Sequence, residues 1–422
     1  MKFAKSEECM KSELDMFAIP PTQASVDNAV WISKDATSGV PSVDGSLTFK
    51  IEKMNDQYLD LSETFIDLTV SLVKLDTKNS MAGDVELGVI NNLAHSMFSQ
   101  VQVKFGGVVV ENSNGLYGYK AYIQNLTNYT ASEKNSLLYN EMYIEDRPEF
   151  FETTKLTNPK TKFSIASNEF EWQQPEDQTN PGFIQRRKRF FNGNKTVQLV
   201  GKLKLDLATC PRYFPNHLEV EIELTRAKSP FYLIGAKANA NLYAINITGA
   251  NIQYRAVTIN PTVGLAHVTA LERVNAIYPY KEVKVKSTPI PAISNKLTIS
   301  NIHNGVLPNL MYIGFVDSRA FAGTTEFNAF NFQHFGLTDL LVTCGTNIIP
   351  YQKTLSFDFV NKNYALAHNT LTQTNQQTEI HYEDYPNGNA LFGFNFTPDL
   401  CTVNNFNIQK TGNIEVALQF AE

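Results

Sequence analysis

Apolar and polar residues alternate along this chain with a period of two. Leu218-Glu219-Val220-Glu221-Ile222-Glu223-Leu224 sets four aliphatic side chains on one face and three glutamates on the other. Successive side chains of an extended strand point to opposite faces, so the segment predicts a strand with one dry and one wet side. The same alternation occurs at 66–72, 101–105, 203–207, 283–285, 392–396 and 414–420. Many short strands separated by Gly, Asn and Pro clusters predict an all-β sandwich or barrel.

Three short helices are expected among the loops. Ser113 and Asn114 can cap a segment whose Leu116, Tyr119, Ile123 and Leu126 share one face. Asn260-Pro261 opens a second, running to Leu271, because proline is tolerated in a first turn. A third is expected over 359–371. Residues 141–194 are polar and strand-poor, longer than an ordinary turn, and loops of that length are usually functional or contact-making. Periodicity fades over 229–241 and resumes at Ile245. The expected organisation is therefore an N-terminal arm (1–20), a first sandwich (21–235, containing the long loop) and a second sandwich (236–422).

Composition narrows the function more than the fold. A net charge of −6 over 422 residues excludes a polyelectrolyte for nucleic acid or acidic lipid. Cys9, Cys210, Cys344 and Cys401 are scattered without metal-ligand or redox spacing, as free thiols of a reducing compartment would be. The N-terminus lacks the apolar core of a signal peptide, and no apolar run reaches the ~18 residues of a membrane span. A soluble intracellular product is expected, and the sequons at Asn125, Asn128, Asn194 and Asn246 then read as chance matches.

Catalytic motifs are missing: there is no G-x-S-x-G, H-E-x-x-H, Walker loop or dinucleotide fingerprint. The seven histidines are isolated, and His267 with Glu272 has the wrong offset for a helical zinc pair. No catalytic residue, metal site or cofactor is expected, and the protein reads as no enzyme. The sharpest charge feature is Arg186-Arg187-Lys188-Arg189 inside the long loop. Its readings are nucleic-acid contact or nuclear import, a contact between copies of the protein or with acidic surface on a neighbour, and a solvated basic turn. Neutralising four phosphates gives a salt slope of only about −3.6, so a local interface is favoured over genome packaging.

Several blocks resemble one family in order. Ser12 to Gln23, with Leu14-Asp15-Met16-Phe17 leading to Pro20-Pro21-Thr22, resembles the N-terminus of major capsid proteins of Polinton/Maverick elements and adintovirus-like viruses. Further matching blocks are 93–101, 119–123, 199–207, 264–267, 330–335, 391–400 and the terminal Leu418-Gln419-Phe420-Ala421-Glu422. Together they span nearly the whole chain. The resemblance implies a double jelly roll, two β-sandwiches in tandem, with three copies forming a pseudo-hexameric capsomer. Such capsomers tile an icosahedral shell around a double-stranded DNA genome. The implied partners are neighbouring capsomers, a penton protein and minor capsid proteins, with no sequence-specific nucleic-acid binding. The implied location is the virion, with synthesis in the host cytosol and assembly there or in the nucleus. The long polar insert before Arg186 departs from the family pattern.

Two other readings stay open. One is a different virion component, a penton or minor capsid protein. The other is a jelly-roll carbohydrate-binding protein with Trp31 or Trp172 as a stacking platform.

Overall fold

The computed structural model describes residues 14–421 except 41–43, 82–84, 157–177, 191–195, 401–405 and a few single or paired positions. The first part of the chain carries β1 (Val26–Asp35), β2 (Ser46–Ile51), β3 (Gln57–Lys74), β4 (Leu87–Val89), β5 (Phe98–Phe105), β6 (Val108–Asn112), β7 (Val197–Lys202), β8 (Phe214–Pro215), β9 (Val220–Arg226), β10 (Leu233–Gly235) and β11 (Tyr243–Ile259). Among its helices are α1 (Leu93–Ser96), α2 (Tyr117–Asn128), α3 (Ala131–Asn135), α4 (Pro181–Lys188) and α5 (Ser229–Tyr232).

Four antiparallel pairs are nested in this part: β1 with β11, β2 with β9, β3 with β7, and β5 with β6. Rolling that long hairpin brings β11 beside β3 and β9 beside β5. The result is two facing sheets, β1-β11-β3-β7 and β2-β9-β5-β6, the eight-strand jelly roll. The alternation explains the layering. Leu47, Phe49 and Ile51 of β2 and Val220, Ile222 and Leu224 of β9 are buried between the sheets. On the outer face Lys104 reaches Glu221 (2.7 Å) and Glu223 (3.1 Å), while Lys50 reaches Glu219 (3.4 Å). Opposite charges on neighbouring strands steady that wet side by a few tenths of a kcal/mol each, up to about 1.

Strand pairing moves the expected boundary. β11, placed after residue 235 by the sequence reading, is central in the first roll: Ile245 pairs with Leu72 and Ile252 with Ile66. The aperiodic stretch before it is a loop within the roll, and its β10 pairs with β4. The first roll therefore runs through Ile259.

Two expected strands are not strands. Residues 203–207 lie beyond the end of β7 and lead into a 3₁₀ turn at Leu207–Thr209, with Lys204 and Asp206 as buried as the leucines. Their polar side chains face ionic partners instead of water. Residues 283–285 belong to no strand, and are tied to the first roll by the Val283 N–H donating to Asp206 Oδ2 (3.1 Å). The first expected helix is α2, but it starts at Tyr117, and Ser113 Oγ accepts the Val101 N–H (2.8 Å) instead of capping it.

The second part carries α6 (Pro261–Leu271), β12 (Lys296–Val306), β13 (Leu310–Gly314), α7 (Ser318–Ala322), β14 (Phe332–Gln333), β15 (Leu337–Cys344), β16 (Asn347–Ile349), β17 (Leu355–Ser356), α8 (Ala365–Thr374), β18 (Asn387–Gly388), β19 (Leu391–Asn395) and β20 (Thr411–Phe420). The expected helix over 359–371 is α8, shifted toward the C-terminus because Asp358 and Asn363 close a turn before it. The same nesting recurs in shortened form: β12 pairs with β20, β13 with β19, and β20 lies beside β15. Where β9 has β5 as a neighbour, β19 has α8 against it. A Cβ on Gly393 would meet Thr374 Oγ1 at 2.6 Å, so only glycine permits that approach. The fold is a double jelly roll with a few helices in its loops.

The two rolls share a core. Tyr122 of α2 stacks on Phe330 (centroids 4.1 Å apart, 2° between planes), and Tyr119 meets Phe330 and Phe332 edge-on. Polar ties cross the same junction: Gly235 N–H donates to Thr325 O (2.7 Å), and Asn328 Nδ2 to Phe151 O (3.1 Å). Aromatic packing of this kind contributes about 0.5–1.5 kcal/mol per pair beyond the area buried.

Candidate assembly surface

The basic run is structural, not a surface patch. Asn180 caps α4 by accepting the Phe183 N–H (3.4 Å), and Pro181 occupies the first turn. Gly182 lets that turn approach Glu145 O, which a Cβ would strike at 2.1 Å. Arg186 is wholly buried. Its Nε donates to Val89 O (3.1 Å), and its remaining nitrogens donate to Ile144 O and Asp146. Arg187 donates to Leu87 O (3.1 Å) and Val85 O (2.9 Å), closing off the chain around β4. Arg189 donates to Tyr139 O (3.0 Å) and lies over that ring, and Lys188 alone of the four is exposed. Asp146 also accepts from Asn180 (2.7 Å) and from Asn328 of the second roll (3.4 Å), so the run helps pin one roll to the other. One signal for this was present in the sequence. Phe183, Arg186, Arg187 and Phe190 recur at helical spacing and form one buried stripe.

A second polar group missed by sequence reasoning lies beneath α2. His95 Nδ1 is 2.9 Å from the Tyr117 hydroxyl, and its Nε2 is 3.2 Å from Glu141. Asn125 Nδ2 donates to Glu141 (3.1 Å), and Lys204 Nζ is 3.6 Å from the same carboxylate. Burial pushes the Glu141 carboxyl up, but His95, Lys204 and the Asn125 hydrogen bond outweigh it and bring the group down to about 2. Nearby, Lys120 Nζ bridges Asp206 (2.7 Å) and Glu111 (3.2 Å); burial still leaves the Asp206 carboxyl above its ordinary value. These charges are paired and closed to solvent, as an internal brace between α1, α2 and 202–207 requires. Asn125, one of the four sequons, is fully buried in this brace. No group of three or more His, Cys, Asp or Glu among the described residues is placed to hold a metal ion. No helix among them is long and apolar enough to cross a membrane.

The surface is more informative than the interior. From Thr258 to Gly314 no described residue is buried, although the span includes α6, β12 and β13. Pro261 opens α6 as the sequence predicted, and the Asn260 side chain caps it by accepting the Thr262 N–H (2.9 Å). Across Pro261–Leu271 there is no Asp, Glu, Lys or Arg. A helix this rich in Leu, Val and Ala and free of charge ordinarily packs against a core, yet Leu265 is 69% exposed, Val268 51%, and Ile277 just beyond it 72%. The chain after α6 is held down at its far end, where Tyr278 stacks on Phe214 (4.4 Å) and Lys281 N–H donates to Thr209 Oγ1 (2.8 Å). β6 adds an outer strand with Val108, Val109 and Val110 exposed in a row. Large contiguous apolar surface marks an interaction site. Trp31, the proposed sugar platform, is half-exposed and tilted against Phe65 (5.9 Å), whereas Trp172 lies outside the described residues.

No protein-family model matches the chain. An uncharacterized protein of Caenorhabditis elegans is 23% identical over 420 residues, covering 95% of this chain and 92% of that one. Three solved structures share the fold. The cryo-EM structure of the Sputnik virophage aligns over 98% of this chain and 86% of its own, with a TM-score of 0.55 and 10% identity. The PBCV-1 virus capsid aligns over 96% and 86%, with a TM-score of 0.52 and 12% identity. The Faustovirus major capsid protein aligns over 99% and 89%, with a TM-score of 0.50 and 8% identity. The chain thus shares its double jelly-roll fold, end to end, with viral capsid proteins.

Proposed function

We propose that this protein is a structural major capsid protein. It self-associates as a homotrimer of pseudo-hexagonal outline, six jelly rolls around a three-fold axis, and these capsomers tile an icosahedral shell around double-stranded DNA. The observation that carries the reading is the pair of jelly rolls fused through one aromatic core, in a chain that aligns over nearly its whole length with capsid structures. The unburied span 258–314 supports it through its uncharged helix α6, because exposed Leu265, Val268 and Leu271 are costly in a lone monomer and natural in an obligate assembly. A penton protein and minor capsid proteins are the further partners, and the virion is the site of action. The block-wise sequence resemblance favours the Polinton/Maverick and adintovirus-like group. A relative of nearly full length in an animal, Caenorhabditis elegans, fits an element carried in a host genome.

Light scattering behind size exclusion tests the reading. The expected result is a particle of three times the 47.4 kDa chain mass, hexagonal in negative-stain projection. A pentamer would move the assignment to a penton, and a stable monomer would contradict self-association.

A further inference from the structure

The N-terminal arm and helix α6 leave the first roll at the same place. β1 begins opposite the end of β11, Val26 pairing with Ile259, and the Asn260 N–H donates to Ser25 O (3.0 Å). Both departing elements are apolar and uncovered. Phe17 is 90% exposed and Ile19 89%, with Leu14 and Met16 also exposed, and α6 presents Leu265, Val268 and Leu271. We infer that the arm segment Leu14–Ile19 of one copy packs on the apolar face of α6 of a neighbouring copy within the capsomer. The inference rests on the capsomer reading and names a contact that builds it.

The exit of the arm argues for a neighbour over the chain's own helix. Gln23 folds over the start of β1: its Oε1 accepts the N–H groups of Ser25 and Val26, and its Nε2 donates to Val26 O (3.0 Å). That fixes the direction in which the chain departs. Ile19-Pro20-Pro21 then stiffens it, since a residue before proline is held extended and consecutive prolines favour a rigid polyproline rod. The described arm residues accordingly lie in solvent, not on their own α6. Extended chain spans at most ~3.3–3.6 Å per residue, so Phe17 can stand up to about 29 Å from Ser25. That is on the order of the length of β1, ten residues at ~3.3 Å each. Each copy would give one arm and receive one, a head-to-tail contact that closes into a ring when the rotation is three-fold. The absence of Asp, Glu, Lys and Arg from 261–271 suits it to the equally uncharged Met16-Phe17-Ala18-Ile19.

The test pairs Phe17→Cys with Leu265→Cys in the full chain, oxidises the purified particle, and reads covalent species on a denaturing gel. The expected result is dimer and trimer bands that need both substitutions, with either alone controlling for native cysteines. A second measurement compares Leu265→Asp, removal of residues 1–19, and both together. Each alone should raise the concentration at which the trimer half-dissociates at least tenfold, and the combination should add little, because both remove one contact. A cross-link confined to single chains, or none in an intact trimer, overturns the arm contact while leaving the capsomer standing. Flotation of the particle with anionic lipid vesicles, lost on removal of the arm and without interchain cross-links, assigns the arm to lipid and overturns the proposal. Absence of any trimer in the wild-type chain contradicts the capsomer reading itself.

Discussion

The two jelly rolls follow one plan but close their cores to different degrees. In the first, all four nested strand pairs form, and inward-facing residues such as Phe49, Ile222 and Ile252 are fully buried. In the second, β12 contributes no buried residue, as β1 does not in the first, but β13 is half-exposed throughout most of its length where its counterpart β2 buries every other side chain. Helix α8 backs β19; of the buried aromatics, Phe330 and Phe332 pack across the junction on Tyr119 and Tyr122, while Tyr385 and Phe392 pack within the second roll. The second packs on the first through the shared aromatic core and leaves β12 and β13 without a fully buried residue. On the capsid role proposed above, an unfinished side has a use, since interfaces that form only on assembly need apolar surface kept in reserve.

Four experiments break or sharpen that contrast. The largest effect is expected at the junction. Arg186→Ala leaves Asp146 buried without its cation, and breaking a buried pair costs about 3–5 kcal/mol. The melting temperature should fall sharply, with both rolls affected. The next is acid. Glu141 is depressed from 4.5 to about 2, so its stabilisation is complete above 4.5 and fades as pH falls through about 2. A shift of that size corresponds to about 3 kcal/mol. Glu141→Gln should therefore flatten the stability-versus-pH curve between those limits, read by denaturant titration at stepped pH. Third, Ile222→Val should cost about 0.5–1.5 kcal/mol, whereas Ile299→Val in β12 should stay within about 0.5 in a dissociated chain. Equal costs would erase the distinction between the rolls. Smallest of all, Lys188→Ala should change stability by less than about 0.5 kcal/mol and leave particle mass unchanged. Loss of assembly in that variant would return an interface role to the basic run.

The sequence displayed these features unevenly, for physical reasons. Strands with one wet face announced themselves, as at 66–72 and 414–420, because water on one side enforces alternation. Asn260-Pro261 announced α6, because cap chemistry is local. Lys204 and Asp206 misled, since a period of two records polarity and cannot say whether a polar side chain meets water or a buried partner. The boundary was misplaced for a related reason. A loop inside a roll loses periodicity as a linker does, and only the long-range pairing of β11 with β3 separates the two. The arginine run looked like a surface patch because charge dominates a linear reading, while its helical register with Phe183 and Phe190 shows the buried stripe. The open surface from 258 to 314 was least legible, for sequence does not state what a chain leaves uncovered.

Hydroxyl-radical footprinting of the purified particle tests the account most directly, because it reads side-chain exposure in the assembled state. Leu265, Val268, Ile277 and Ile299 should oxidise several-fold more slowly in the particle than in chains dissociated at high dilution, while Val360, exposed on the second roll, should oxidise equally in both. Equal oxidation of all five positions would mean that the span from 258 to 314 stays bare in the assembly, and the second roll's unfinished side would not be an interface.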